Sequence, residues 1–199
     1  MSRNPFSFGK GSFITLVFGE MNERRGETVG TDYFIADLHF GGEEIVRYEN
    51  RPFGNVKEME NYMIKQWNSI VTKEDTVYVL GDFSTNQSAE EDSRILKELS
   101  GRKILVMGNH DQHRSQKDWR TIGFEECSMW PILYQDFFLL SHEPLYLNSN
   151  MPYANFYGHV HGNDTYRTIA SQSACVCVER WEYTPVSFEA LVTKMKSVK

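Results

Sequence analysis

The sequence predicts an α/β protein with a parallel sheet at its centre. Two apolar runs, Asp75-Thr76-Val77-Tyr78-Val79-Leu80 and Lys103-Ile104-Leu105-Val106-Met107, flank a helical stretch over 89–99. That strand–helix–strand rhythm implies right-handed crossovers and helices outside the sheet. Residues 57–71 carry Met59, Tyr62, Met63, Trp67 and Ile70 at helical spacing, the stripe of a helix that packs on a sheet. After Gly123 the pattern changes to short strands without long helices, which points to a second sheet, antiparallel or mixed.

Residues 1–30 read as an N-terminal extension, with a weakly alternating strand over 12–18 and a turn at Arg24-Arg25-Gly26-Glu27. Residues 31–199 read as a single domain. Tyr33-Phe34-Ile35-Ala36 is a buried strand that stops at Asp37-Leu38-His39; on extended chain Asp37 and His39, at i and i+2, share a face. Phe40-Gly41-Gly42 breaks the strand, a helical turn covers 43–48, and Asn50-Arg51-Pro52-Phe53 is a loop. The second strand ends in Gly81-Asp82, Gly101 stands where a C-cap is expected after the helix over 89–99, and the third strand ends in Gly108-Asn109-His110-Asp111. Short strands follow over 130–134, 137–140, 155–157 and 174–178, with a tight hairpin at Tyr134-Gln135-Asp136-Phe137. One of them ends in Ser141-His142 and another in Gly158-His159-Val160-His161, where two imidazoles at i and i+2 should again leave toward one point. A helix over 187–195, with Ser187 as its N-cap, closes the chain.

The composition narrows the function. The 199 residues are 40% apolar with a net charge of -6, which fits a folded domain and argues against a long nucleic-acid track. No apolar run approaches the roughly 18 residues of a membrane helix. The run over 13–18 is too short for a signal peptide, lacks a small-residue cleavage site and leads straight into charges. Cys127, Cys175 and Cys177 are odd in number, and Cys175-x-Cys177 is too tight for an ordinary bridge, so reduced thiols and a cytoplasmic protein are expected.

Five apolar runs end in candidate ligands: Asp37 and His39, Asp82, Asn109 and His110, His142, and His159 and His161. Five of the six histidines fall at these ends and only His113 lies apart. Open sheets bind ligands beyond their strand ends, where several loops meet. Mixed carboxylates and imidazoles suit Mn, Fe, Zn, Co or Ni more than Mg or Ca. The set is too large for one ion and suits two, about 3.5–4 Å apart. Asp82, with two oxygens, is the candidate bridge, and Asn109 offers a neutral oxygen. Arg51 reads either as a grip on a substrate phosphate or as a loop arginine paired to a surface carboxylate.

In order and approximate spacing, these motifs resemble the calcineurin-like metallophosphoesterases, over about residues 31–195. Gly41-Gly42 and Asn50-Arg51-Pro52-Phe53 also look like the small bacterial and phage members. The resemblance implies a four-layer α/β/β/α sandwich, two mixed sheets flanked by helices, with a dinuclear centre at the strand ends. It implies that Asp37, His39 and His161 hold one metal, that Asn109, His142 and His159 hold the other, and that Asp82 bridges them. His110 would sit beside the scissile phosphate, stabilising it or protonating the leaving oxygen, with Asp111 either orienting His110 or serving a turn. The implied activity is hydrolysis of a phosphodiester or phosphomonoester of a small or nucleotide-like substrate by a hydroxide held between two divalent ions, manganese foremost. The rivals are a nuclease on short DNA or RNA and a non-catalytic metal-binding interaction module. The phosphoprotein phosphatase pattern Gly-Asp-x-x-Asp-Arg-Gly is not matched, because Gly81-Asp82 continues Phe83-Ser84-Thr85-Asn86.

Overall fold

Four parallel strands form the first sheet: β1 (Asp32–Ile35), β2 (Thr76–Val79), β3 (Arg102–Val106) and β4 (Glu126–Ser128). A two-residue strand, β9 (Val186–Ser187), pairs antiparallel to β1, giving the order β4-β3-β2-β1-β9. The second sheet has the order β5 (Ile132–Tyr134), β6 (Phe138–Ser141), β7 (Ala154–Tyr157) and β8 (Ser173–Cys175); β5 and β6 are antiparallel, the other pairs parallel. The helices are α1 (Glu43–Tyr48), α2 (Val56–Ile70), α3 (Ala89–Glu98), α4 (Gln116–Ile122) and α5 (Phe188–Ser197). This computed structural model describes residues 30–85, 87–148, 150–163 and 172–197; the expected extension, with its strand over 12–18 and turn over 24–27, lies outside them but for Gly30. Both sheets are mixed and flanked by helices, as the resemblance implied.

Side chains alternate along the strands and divide the core in two. Ile35, Val77, Val79 and Leu105 face the helices, where Met59, Met63 and Trp67 of α2, Ile95 and Leu96 of α3 and Trp119 of α4 cover them. Phe34 points the other way and meets the second sheet at Phe156, with ring centroids 5.1 Å apart. Tyr78, Tyr134, Phe138 and Phe188 complete this aromatic layer. The two sheets are also stitched at their ends by backbone. Ala36 donates to the Val176 carbonyl and accepts from Val178, so the chain leaving β1 pairs with the chain leaving β8.

Several local expectations need correction. Tyr62 is not in the buried stripe of α2; it is 38% exposed and packs edge-on against Tyr183 and at a tilt against Phe53. Gly101 does not cap α3, which ends at Leu99 in extended backbone; its φ of +80° serves the turn into β3. The hairpin at Gln135 and Asp136 is a left-handed pair, φ 50° and 56°, the geometry whose twist matches antiparallel strands. Among the described residues no helix is long and apolar enough to cross a membrane.

Candidate metal centre

Five of the expected ligands sit in left-handed backbone: Asp37 (φ 61°), His39 (51°), Asp82 (56°), His159 (69°) and His161 (47°). β1 stops at Ile35 and β7 at Tyr157, so neither Asp37 and His39 nor His159 and His161 lie on extended chain. Strand alternation therefore does not bring them together; single left-handed turns do. Such turns cost of order 1–3 kcal/mol for a non-glycine residue and gather at functional sites. Backbone bonds hold them. Asp37 and His39 donate to the carbonyls of Gly81 and Asp82, at 3.0 and 2.9 Å, which sets the first turn against the second.

The side chains fall into two sets. Asp37, His39 and His161 offer donor atoms within 4.8 Å of one another, and so do Asp82, His142 and His159. Asn109 joins the second set, its Oδ1 3.0 Å from His142 Nε2 and 3.1 Å from His159 Nδ1. His161 and His159, two residues apart, thus go to different sets and not to one point. Asp82 stands between the sets. Its Oδ2 lies 3.6 Å from His39 Nε2 and 3.5 Å from His142 Nε2, while its Oδ1 accepts from the His110 backbone N–H at 2.9 Å. One oxygen, not two, is therefore turned to both sets. His39, Asp82 and His110 also offer donors within 4.8 Å, which brings the exposed His110 ring to the rim of the first set.

Each buried or half-buried histidine is held by Nδ1 and presents Nε2. His142 Nδ1 lies 2.9 Å from the Leu80 carbonyl, which only accepts, so Nδ1 carries the proton and Nε2 is a free lone pair. His39 Nδ1 is hydrogen-bonded to Thr85 Oγ1 at 2.9 Å, and His161 Nδ1 to Glu179 at 3.0 Å. Buried His39 Nε2 has no hydrogen-bond partner among the described residues and faces Asp37 at 4.0 Å and Asp82 at 3.6 Å. An orphaned imidazole nitrogen between two carboxylates fits a divalent cation, as does the oxygen-and-nitrogen donor set.

Electrostatics agrees. Burial pushes the Asp37 carboxyl well above the usual carboxylate range and holds His39 well below its usual value. Burial likewise lowers His142. A cation would restore the carboxylate charge and needs the neutral imidazole. Burial opposes the charged form of His161 too, but the Glu179 hydrogen bond and the Asp37 charge outweigh it and push the group up to about 9.

Three glycines make the approach feasible. A Cβ at Gly108 would stand 2.2 Å from Asp82 Oδ1, one at Gly81 2.2 Å from His142 Nδ1, and one at Gly158 2.7 Å from Asp37 Oδ2.

The expected role of Arg51 changes, and of the two readings of Asp111 the turn role holds. Arg51, expected at a substrate phosphate or a surface carboxylate, is buried, and its guanidinium is bonded to the Asp37 and Leu38 carbonyls and to buried Glu179. Asp111 does not orient His110. Its carboxylate accepts the N–H groups of Asp82, Phe83 and Gly108, at 2.8, 3.0 and 2.8 Å, and so shapes the bridging turn. Burial raises its pKa to about 7, against those hydrogen bonds. Glu179, Arg180 and Thr85, which support the histidines, carry no motif and were invisible in the sequence.

The sequence model of the calcineurin-like phosphoesterase family matches residues 33–181. An uncharacterized protein of Methanocaldococcus jannaschii is 35% identical over 166 residues, 80% of this chain and 88% of that protein. The gene 66 protein of Mycobacterium phage L5 is 35% identical over 81 residues, 40% of this chain and 39% of the phage protein. The crystal structure of a protein of unknown function from Aquifex aeolicus superposes with a TM-score of 0.67 at 29% identity, covering 83% of this chain and 99% of that one.

Proposed function

The chain belongs to the calcineurin-like phosphoesterase family and is a metal-dependent phosphoester hydrolase; from that premise we propose that it works with two divalent ions, manganese foremost, on a phosphodiester or phosphomonoester of a small, nucleotide-like substrate. The observation that carries the reading is Asp82 Oδ2, which lies within 3.6 Å of a histidine from each set. A cavity of about 420 Å³ beside the first set, lined by His39, Gly42, Ile45, Tyr48, Thr85 and His110 among others, has room for a substrate's organic group.

Two bound ions supply Lewis-acid activation of water and neutralise charge gathering on the phosphoryl oxygens. The chain's part is positioning. The His110 N–H pins Asp82 Oδ1, so the carboxylate keeps Oδ2 turned to both sets. Asp37 is held by the His159 N–H, which both its oxygens share, at 3.1 Å from Oδ1 and 2.9 Å from Oδ2. His39, His142 and His161 each present Nε2 because Nδ1 is engaged. Asn109 completes the second set without adding charge. His110, exposed at the rim with its ring 5.0 Å from that of His39, is positioned to protonate the leaving oxygen. The unbridged cysteines support a cytoplasmic setting.

The test is hydrolysis of an aryl phosphodiester and an aryl phosphomonoester by protein stripped of metal and refilled with Mn²⁺, with Asp82→Asn alongside. Metal-dependent turnover that the variant loses by roughly a thousandfold is expected, since several kcal/mol of ion-borne stabilisation are at stake. Equal turnover by the variant would sink the shared-oxygen assignment.

A further inference from the structure

Beneath the first set lies a buried ion pair that belongs to no ligand motif. Glu179 Oε1 accepts from Arg51 Nε at 3.0 Å and from Arg51 Nη2 at 2.6 Å, and it also holds His161 Nδ1 at 3.0 Å. The same guanidinium donates from Nη2 to the Asp37 carbonyl at 2.7 Å and from Nη1 to the Leu38 carbonyl at 3.0 Å. Arg180, next in the chain, donates from Nε to the His161 carbonyl at 2.7 Å. The Arg51 side chain is wholly buried and that of Glu179 is 8% exposed.

A buried ion pair is weak grounds for stability, because desolvation offsets the attraction. Its placement gives it another use. Arg51 fixes the two carbonyls of the left-handed turn that carries Asp37 and His39. Glu179 fixes the ring of His161. The three ligands of the first set come from segments more than a hundred residues apart in sequence, and this one pair ties both segments. Only arginine's planar fork reaches a carboxylate and two carbonyls at once. Partners of this kind orient ligands and tune metal affinity.

We propose that Arg51 and Glu179 are positioning residues for the first ion: Glu179 aims His161 Nε2 at Asp37, and Arg51 holds the Asp37–His39 turn in register with it. This rests on the two-ion reading of the site.

The test is calorimetric titration of the metal-stripped chain with Mn²⁺, paralleled by Co²⁺ absorption spectra. Glu179→Gln keeps an acceptor for Nδ1 but loses the charge that holds Arg51. It should weaken one of the two binding steps by roughly 10–100-fold, leave the other unchanged and alter the Co²⁺ spectrum. The weakened step should be the one that His161→Ala abolishes. The double variant Arg51→Met with Glu179→Leu replaces both charges by apolar groups of similar size, which proteins tolerate. It should fold and lose the same step. A role in folding alone predicts instead that the folded double variant binds both ions as the parent does, and that result, or an unchanged titration of Glu179→Gln, overturns the proposal. If the double variant fails to fold, Glu179→Gln decides by itself. A parent chain that takes up a single ion, weakened in Glu179→Gln all the same, upholds the positioning and overturns the two-ion reading.

Discussion

The two ligand sets are built alike in chemistry and unlike in support. In the first, Asp37 and His39 are buried, and the Cys177 thiol beside Asp37, the Thr85 hydroxyl, the Arg51–Glu179 pair and Arg180 stand behind the three ligands. In the second, His142 is buried and held by the Leu80 carbonyl, but His159 and Asn109 are exposed and meet chiefly each other and His142. The first set is braced by the protein's own contacts. The second is open on one side, where His159 and Asn109 face solvent. The contrast teaches that equivalent ligands in a motif need not be equivalent in consequence.

The strongest way to break this comparison is to remove one histidine from each set. His39→Ala should cost roughly a thousandfold in turnover or more, because it leaves two buried carboxylates without the imidazole between them. His159→Ala should cost about 10–100-fold, on the scale of a lost supporting partner, and excess Mn²⁺ should restore much of it. Equal losses that no added metal relieves would erase the distinction between the sets.

Smaller in effect is His110→Ala, which removes a rim side chain while its backbone N–H still holds Asp82. Both ions should stay bound in the titration while turnover falls about a hundredfold, the low end of what a general acid contributes. A substrate with a leaving group that needs no proton should hide most of that loss. Loss of an ion in this variant would make His110 a ligand.

The mildest effect is one of pH, and it separates the sets without mutation. In the chain stripped of metal, His161 rises from its ordinary 6.5 to about 9. A raised histidine favours the folded state fully below about pH 6.5, and that contribution fades as pH climbs to about 9. The melting temperature of the stripped protein should therefore decline over that interval. Proton competition acts in the same window, so affinity for the first ion should rise with pH up to about 9. His161→Gln should flatten the melting profile.

The sequence disclosed the ligands far better than their geometry. Asp37, His39, His159 and His161 are recognisable at the ends of apolar runs, yet an i and i+2 spacing brings side chains to one face only on extended chain, and here the backbone is left-handed. Aspartate and histidine enter the left-handed region more readily than most residues, but nothing local fixes that turn at Asp37 and His39, because the carbonyls that stabilise it come from a distant segment. Arg51 was misread for the same reason: Glu179, its partner, lies 128 residues away and carries no motif of its own. The strands β2 and β3 and the helices α2 and α3 were legible because their apolar periodicity is strong. The polar edge strand β4 and the seven-residue α4 were not, although Ser115 and Asp118 form a capping box that marks the start of α4.

Gly81, Gly108 and Gly158 have an implication for how this protein can drift over generations. Each stands where even a methyl group would collide with a ligand or its ring. A lineage that keeps its ions is confined at these positions as tightly as at the ligands themselves. A lineage that gives up the chemistry is not thereby released, because a Cβ would also stand 2.7 Å from the Asp82 backbone nitrogen at Gly108 and 2.6 Å from the Ala36 Cβ at Gly158. Alanine or serine at 108 or 158 is thus barred twice, once by a ligand oxygen and once by the backbone and core atoms that set the strand ends.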